Sequence, residues 1–361
     1  MVRADSLSAR PVRCYPSIDN AAKVTETSTL GASVSSQKGT EGELSQCVLR
    51  KVWTMTLVLA LTSPKSIWLV TDRRLSTPNG VVNDHARKFM RLETYDGRAL
   101  IGYAGLGATR GKTEPADWMA RVLRGRNLSV DQSIGVLAAA MNDRLRPHID
   151  MLPAGVLRGH QVIAPAFVNG KPELYEIQLY RQPGREYVLK HTRYQVEHPF
   201  AKQPGTPRVM IGGSGGPILG ADWSWTRPLL RLIRAYDDGK VTQRTVATHL
   251  AKINQRVAQK VASVGPTSIV SWYSTDRGGG HDFFIEDQIQ PGLLHRRIPL
   301  ISRGTDMLAF IEAMFPEAEM LKAFAAVRGS GTKHPPEIRY DAEAGEARIA
   351  ALKRTPDDSI K

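Results

Sequence analysis

Residues 56–72 read TLVLALTSPKSIWLVTD. Two short β-rich runs, Thr56 to Leu61 and Ile67 to Thr71, flank Thr62-Ser63-Pro64-Lys65-Ser66, whose Pro and Ser residues favour a turn. The stretch is therefore expected to fold as a β-hairpin.

A second pair follows at Lys88 to Leu92 and Ala99 to Ala104, joined around Asp96-Gly97, where glycine supplies the positive φ that tight hairpins favour. Two helices come next. One spans Glu114 to Leu123. The other follows Ser129, which with Gln132 forms a capping box ahead of the apolar stripe Ile134, Leu137, Ala138, Met141 and Leu145.

Strand patterns return at Gln161 to Phe167, Leu174 to Leu179, Tyr187 to Lys190 and Arg208 to Ile211, with Asn169-Gly170 as a further hairpin signal. Helices are expected at Pro228 to Tyr236 and Thr242 to Val261, and strands at Thr267 to Tyr273 and Asp282 to Ile285. Gly278-Gly279-Gly280 reads as a hairpin turn. Gly212 to Gly216 lacks a following Gly-Lys-Ser/Thr, so it reads as a strand-to-helix turn and not as a phosphate cradle.

The order strands, helix pair, strands, helix pair, strands predicts an α/β (α+β) protein. Its expected architecture is a four-layer αββα sandwich, with two antiparallel sheets between helix pairs, because each sheet has one further apolar face to bury.

Residues 1–54 are rich in Ser, Thr, Gly, Gln and charge and lack periodicity, which reads as a disordered leader or a mis-called start. The expected domain spans 55–290. Residues 291–361 are read as a C-terminal extension and tail with one helix at Asp306 to Val327.

The composition narrows the functional classes. At 361 residues and 42% hydrophobic content the chain can bury a large core. No apolar run approaches the roughly 20 residues of a membrane helix and no secretory signal is evident, so a cytoplasmic location without membrane contact is expected. Cys14 and Cys47 are the two cysteines, and no His-Glu-x-x-His spacing occurs, so neither a metal nor another cofactor is expected.

The net charge of +14 resides in the middle of the chain, where residues 55–303 hold 34 basic and 20 acidic residues. The cations form scattered short clusters, which argues against a nucleic-acid stripe. Trp118, Trp223 and Trp225 beside arginines are assigned to helix packing, with a subunit interface as the alternative.

Thr56 opens the first strand, Asp72 ends the second and Lys88 opens the third, at offsets of 16 and 32 from Thr56. Individually these are ordinary strand, turn and edge residues. Together they resemble the proteasome β-subunit type of N-terminal nucleophile (Ntn) hydrolase, whose active site carries Thr, Asp and Lys at those offsets. Asp72-Arg73-Arg74 is similar to the family's Asp-x-Arg, Tyr103-Ala104-Gly105-Leu106-Gly107 to its oxyanion loop, and Gly213-Ser214-Gly215 to its Gly-Ser-Gly.

The resemblance implies a bacterial proteasome-like threonine-type peptidase or amidase. In it Thr56 is the nucleophile, Lys88 and Asp72 activate it, the Gly105 amide stabilises the oxyanion, Ser214 supports the amine, and Ser263 is the retained serine of the family's Asp-x-x-Ser-Gly. It also implies a peptide or amide substrate and a homo-oligomer, while any ATPase partner is not readable. The chain departs from the family where Lys260 replaces the carboxylate of Asp-x-x-Ser-Gly, which motivates the alternative of a catalytically inactive scaffold or binding protein.

A free α-amino group can serve as the base for a hydroxyl nucleophile, but only on an N-terminal residue. Removal of residues 1–55 is therefore required. Met55 lacks the small size of the glycine that precedes self-released nucleophiles, and it is read instead as an initiator methionine. Cys47 as an alternative nucleophile would misplace Asp72 and Lys88, and no strand begins there.

Overall fold

Strands β1 (Leu57–Thr62) and β2 (Ser66–Asp72) pair antiparallel, with Val58 opposite Thr71 and Thr62 opposite Ile67. The Ser63 hydroxyl closes their turn by accepting from the Ser66 amide at 2.9 Å. The computed structural model describes residues 56–77, 80–105, 114–149, 160–181, 187–195, 207–285, 288–289, 298–314, 346 and 350.

Further strands are β3 (Leu75–Thr77), β4 (Gly80–Asn83), β5 (Phe89–Glu93), β6 (Gly97–Ala104), β7 (Gln161–Val168), β8 (Lys171–Arg181), β9 (Tyr187–Gln195) and β10 (Arg208–Gly213). After the main helices come β11 (Ser268–Ser274), β12 (Gly278–Ile285), β13 (Gln288–Ile289), β14 (Leu300–Ser302) and β15 (Thr305–Asp306). The helices are α1 (Pro115–Leu123), α2 (Val130–Ile149), α3 (Gly216–Ala221), α4 (Thr226–Asp237), α5 (Gln243–Ala258) and α6 (Met307–Met314).

The described chain is thus α+β. One sheet has the order β10-β1-β2-β11-β12-β13 and the other β15-β14-β5-β6-β7-β8-β9, with β3 and β4 as a separate pair. Pairing is antiparallel throughout except between β14 and β5, which run parallel.

Side chains alternate between different apolar clusters. In β1, Leu57, Leu59 and Leu61 pack with Leu229, Ile233, Leu250 and Val257 of α4 and α5. Val58 and Ala60 instead join Leu69, Leu100, Ile163 and Phe283, a cluster drawn from both sheets. Across the second sheet, Leu92, Ile101, Val162 and Tyr175 pack with Met119, Ile134 and Leu137 of α1 and α2. Strand β1 is buried at every position because both its faces are covered.

Local signals operate as their chemistry requires. The Gln132 amide donates to the Ser129 hydroxyl and the Ser129 amide to Gln132 Oε1, each at 3.1 Å, which satisfies two otherwise orphaned N–H groups ahead of α2. Thr242 caps α5 by accepting from the Thr245 amide at 3.3 Å. Trp225 is buried, stacks on Trp223 and donates its indole N–H to the Leu219 carbonyl, while Trp118 packs against the α1–α2 cluster.

Some elements differ from expectation. Gly278 to Gly280 belong to β12 opposite Ser274, Tyr273 and Trp272, and the turn precedes them. Glycine is needed there for close packing, since a Cβ on Gly279 would lie 2.3 Å from the Tyr273 ring and one on Gly280 2.8 Å from Trp272. The β3–β4 hairpin and α3 were not anticipated, because strands of three and four residues and a helix containing two glycines carry almost no periodic signal.

Past residue 290, β14 extends the second sheet beside β5. Asp306 then caps α6 by accepting from the Ala309 amide at 3.1 Å, and its other oxygen pairs with Arg124 at 2.7 Å. The helix expected at Asp306 to Val327 is present as Met307–Met314, and residues 315–327 lie outside the described residues, as do residues 1–55. Among the described residues no helix is long and apolar enough to cross a membrane.

Candidate active site

The start of β1, the ends of β2 and β10, and the residue preceding β5 meet at one place. Gly213 faces Leu57 across β10 and β1, and its φ of +78° carries the backbone over Thr56. A Cβ on Gly213 would lie 2.1 Å from the Thr56 carbonyl oxygen and 3.3 Å from Ala104 Cβ, so only glycine lets these chains approach. Thr56, Asp72 and Lys88 are all buried, at 0%, 0% and 1% exposure.

Lys88 Nζ donates to Thr56 Oγ1 at 2.8 Å and to Asp72 Oδ1 at 3.0 Å. Lys88 lies just before β5, and its carbonyl accepts from the Tyr103 amide at 2.8 Å, so the backbone ladder holds its stem. Burial pushes the Lys88 ammonium below the ordinary lysine value, and the charge and hydrogen bond of Asp72 oppose that shift.

Asp72 has a full set of donors. Its Oδ1 also accepts from the Leu57 amide at 2.9 Å, and its Oδ2 accepts from the Arg74 amide at 3.0 Å and the Gly265 amide at 2.9 Å. Charge-assisted bonds of this kind hold a buried carboxylate in place.

Ser214 lies in the turn between β10 and α3. Its hydroxyl accepts from the Thr56 backbone nitrogen at 3.2 Å, approaches the Thr56 carbonyl oxygen at 3.3 Å and shares a hydrogen bond with Ser263 Oγ at 3.0 Å. The structure therefore brings Thr56, Asp72, Lys88, Ser214 and Ser263 together.

Gly105 follows β6 directly, with φ +149°. A Cβ there would lie 2.7 Å from the Tyr103 hydroxyl and 2.8 Å from His160 Nδ1. Those two groups share a hydrogen bond of 2.8 Å, and burial raises the Tyr103 phenol above its usual range. Leu106 and Gly107 of the same motif lie outside the described residues.

Lys260 is exposed just beyond α5, whereas Thr56, Asp72 and Lys88 are buried. Its charge reaches Asp222, whose carboxyl is held below its usual range first by hydrogen bonds from the Ser224 amide and hydroxyl and only secondarily by Lys260.

Sequence reasoning missed the supports around the triad. Arg74 grips Asp84 with two bonds of 2.6 and 3.0 Å and donates to the Ala262 carbonyl at 2.8 Å, so the turn after Asp72 is tied to the loop bearing Ser263. That paired bond, more than the bare charge, lowers the Asp84 carboxyl. Arg74 was visible in its motif, whereas nothing local distinguishes Asp84. Among the described residues no group of His, Cys, Asp and Glu side chains is arranged to hold a metal ion.

No family model matches the chain, and no curated protein matches it. Solved structures similar to it include Anbu (ancestral beta-subunit) from Yersinia bercovieri, at 12% identity and TM-score 0.37, covering 63% of this chain and 86% of that one. Anbu from Hyphomicrobium sp. strain MC1 is similar at 12% identity and TM-score 0.37, covering 63% of this chain and 87% of that one. Membership of the proteasome β-subunit family is corrected by these results: the two structures named here are Anbu proteins at 12% identity, and no family or curated match supports the assignment. Short motifs at matching offsets produced the resemblance.

Proposed function

We propose that this chain is a threonine-type hydrolase of amide or peptide bonds, active once residues 1–55 are removed. The observation that carries the reading is the placement of Thr56 between two partners. Lys88 Nζ lies 2.8 Å from its hydroxyl and Ser214 Oγ 3.2 Å from its backbone nitrogen. A hydroxyl beside a buried cation, on the same residue as a potential free amine, has both its activator and its base at hand.

In the proposed reaction the Thr56 amine takes the hydroxyl proton as Oγ1 attacks the substrate carbonyl, and Lys88 stabilises the developing charge. The Gly105 amide donates to the tetrahedral oxyanion. The C–N bond then breaks, the leaving amine takes the proton, and an ester to Thr56 remains. Water adds to that ester, its proton passing to the amine, and Thr56 is restored as the acid departs. Asp72 keeps Lys88 in place, while Ser214 and Ser263 orient the amine. The helix-covered sheets are read in this proposal as the four-layer αββα sandwich of an Ntn hydrolase, with residues 55–290 as its domain and β14 and β15 as additions to its second sheet.

The second reading, an inactive scaffold with the same arrangement, is favoured by one fact: in the full-length chain the Thr56 nitrogen is a peptide amide following Met55. Intact mass and N-terminal sequencing of protein purified from its native cell separate the two. A chain beginning at Thr56, with turnover of amide or peptide substrates abolished by Thr56→Ala, supports the hydrolase. Persistence of any preceding residue, or turnover that survives Thr56→Ala, overturns it. Native mass of the same sample reads the assembly state, for which a homo-oligomer is expected.

A further inference from the structure

Gln161 opens β7, and its side chain reaches from the second sheet to the first. Its Oε1 accepts from the Gly213 amide of β10 at 3.3 Å, while its Nε2 donates to Glu176 Oε1 on β8. Glu176 is 5% exposed and lies opposite Ile163, a member of the cluster between the sheets. A carboxylate and an amide in such a setting are costly unless each finds partners. Neither has a part in the chemistry proposed above.

The backbone is adapted to this reach. A Cβ on Gly212 would lie 2.2 Å from Gln161 Oε1, so the strand offers that oxygen a gap where any other residue would collide. One residue on, the positive φ of Gly213 begins the turn that carries Ser214 to the Thr56 nitrogen.

The geometry points to Gln161 and Glu176 as positioning residues for Thr56. Glu176 accepts from the Gln161 amide nitrogen and so fixes which end of that amide faces Gly213. Gln161 then holds the Gly213 amide, and the anchored turn sets Ser214 Oγ against the Thr56 nitrogen. If Glu176 could not demand a donor, the amide would be free to turn its NH2 toward the Gly213 N–H, placing donor against donor. The kinetic part of this inference rests on the reading of Thr56 as nucleophile; the structural part does not.

The test uses the full-length chain with Gln161→Met, which keeps length but removes both bonds, and Glu176→Gln, which keeps volume but permits the amide to turn. Gln161→Asn serves as the milder variant should Gln161→Met fail to fold. Hydrogen exchange at the Gly213 amide should accelerate about tenfold in each variant, the loss expected for one ordinary hydrogen bond, with the β1–β2 ladder amides unchanged. Unchanged exchange at Gly213 overturns the proposal.

In protein beginning at Thr56, kcat should fall about tenfold while KM stays within about twofold, with a shifted acid limb in the pH profile. In a Ser214→Ala background Gln161→Met should have no further effect on kcat. A full additional loss there means the pair acts by another route and overturns the positioning role. Turnover that survives Thr56→Ala sinks the nucleophile reading instead, and exchange at Gly213 then decides by itself whether Gln161 anchors the turn.

Discussion

Asp72 and Gly265, 193 residues apart, are joined by a 2.9 Å hydrogen bond from the Gly265 amide to the carboxylate. With the amides of Leu57 and Arg74, this bond gives Asp72 three backbone donors besides Lys88. The two members of the ion pair are therefore not equally replaceable. Asp72→Asn sets an NH2 among donors and leaves a buried ammonium without its counter-charge, at an expected cost of about 3–5 kcal/mol. Lys88→Met leaves the carboxylate on its backbone amides and should cost about 1–3 kcal/mol. Denaturant unfolding of both variants checks the order, and a larger loss for Lys88→Met would contradict it.

The proposed chemistry needs a neutral amine on Thr56 and a charged Lys88. Activity should rise as pH passes upward through the amine pKa, near 8 for a free α-amino group and lower beside a cation. It should fall again as Lys88 loses its proton, and burial brings that loss below the ordinary lysine pKa of about 10.4. A bell-shaped profile of kcat/KM is expected. A profile flat from pH 6 to 10 would contradict both assignments.

His281 titrates outside the site. Burial, aided by the charge of Arg91, pushes its imidazole down to about 4, and its ring packs edge-on against Phe283. The unfolded chain, with histidine near 6.5, therefore binds this proton more readily than the folded one. Stability is unaffected above about pH 6.5 and declines as pH falls toward 4, by up to about 3 kcal/mol. His281→Gln should flatten the dependence of unfolding free energy on pH across that window. An unchanged slope would show that other groups dominate it.

Gly213 and Gly220 should respond oppositely to alanine. At Gly213 the positive φ and the 2.1 Å approach to the Thr56 carbonyl make Gly213→Ala destabilising by about 1–3 kcal/mol, with loss of the Ser214 contact. Gly220 lies in α3 with no atom within 4 Å of a new Cβ, so Gly220→Ala should be neutral or stabilising by up to about 1 kcal/mol. Thermal unfolding of the two variants reads both signs.

Strands β1 and β2 were legible because unbroken β-rich runs at 57–61 and 67–71 flank a turn-forming Ser-Pro-Lys-Ser segment. The capping box before α2 was legible because its two partners are three residues apart. The meeting of Thr56, Asp72 and Lys88 was implied only by the resemblance of their offsets of 16 and 32 residues, since each alone reads as an ordinary strand, turn or edge residue.

Other parts depend on contacts that no local pattern encodes. Glu176 sits between apolar Tyr175 and Ile177 and reads as the solvent side of an alternating strand, yet that side faces the other sheet. Gln161 is one polar residue at a strand start. Gly265 becomes an Asp72 donor only when α5 has brought its loop across. The glycines at 279 and 280 look like a turn until Tyr273 and Trp272 are seen to occupy the space their side chains would need.

Leu57, Leu59 and Leu61 belong to one cluster and Val58 and Ala60 to another, so β1 has no spare reading frame. Gaining or losing a single residue inside it would turn each leucine toward a space fitted for a smaller side chain and move Thr56 by about 3.8 Å from its partners. Descendants of this chain can therefore vary β1 by substitution but not by insertion or deletion. Changes of length belong at the tips of hairpins such as Asn169-Gly170, where an added residue displaces only the loop itself.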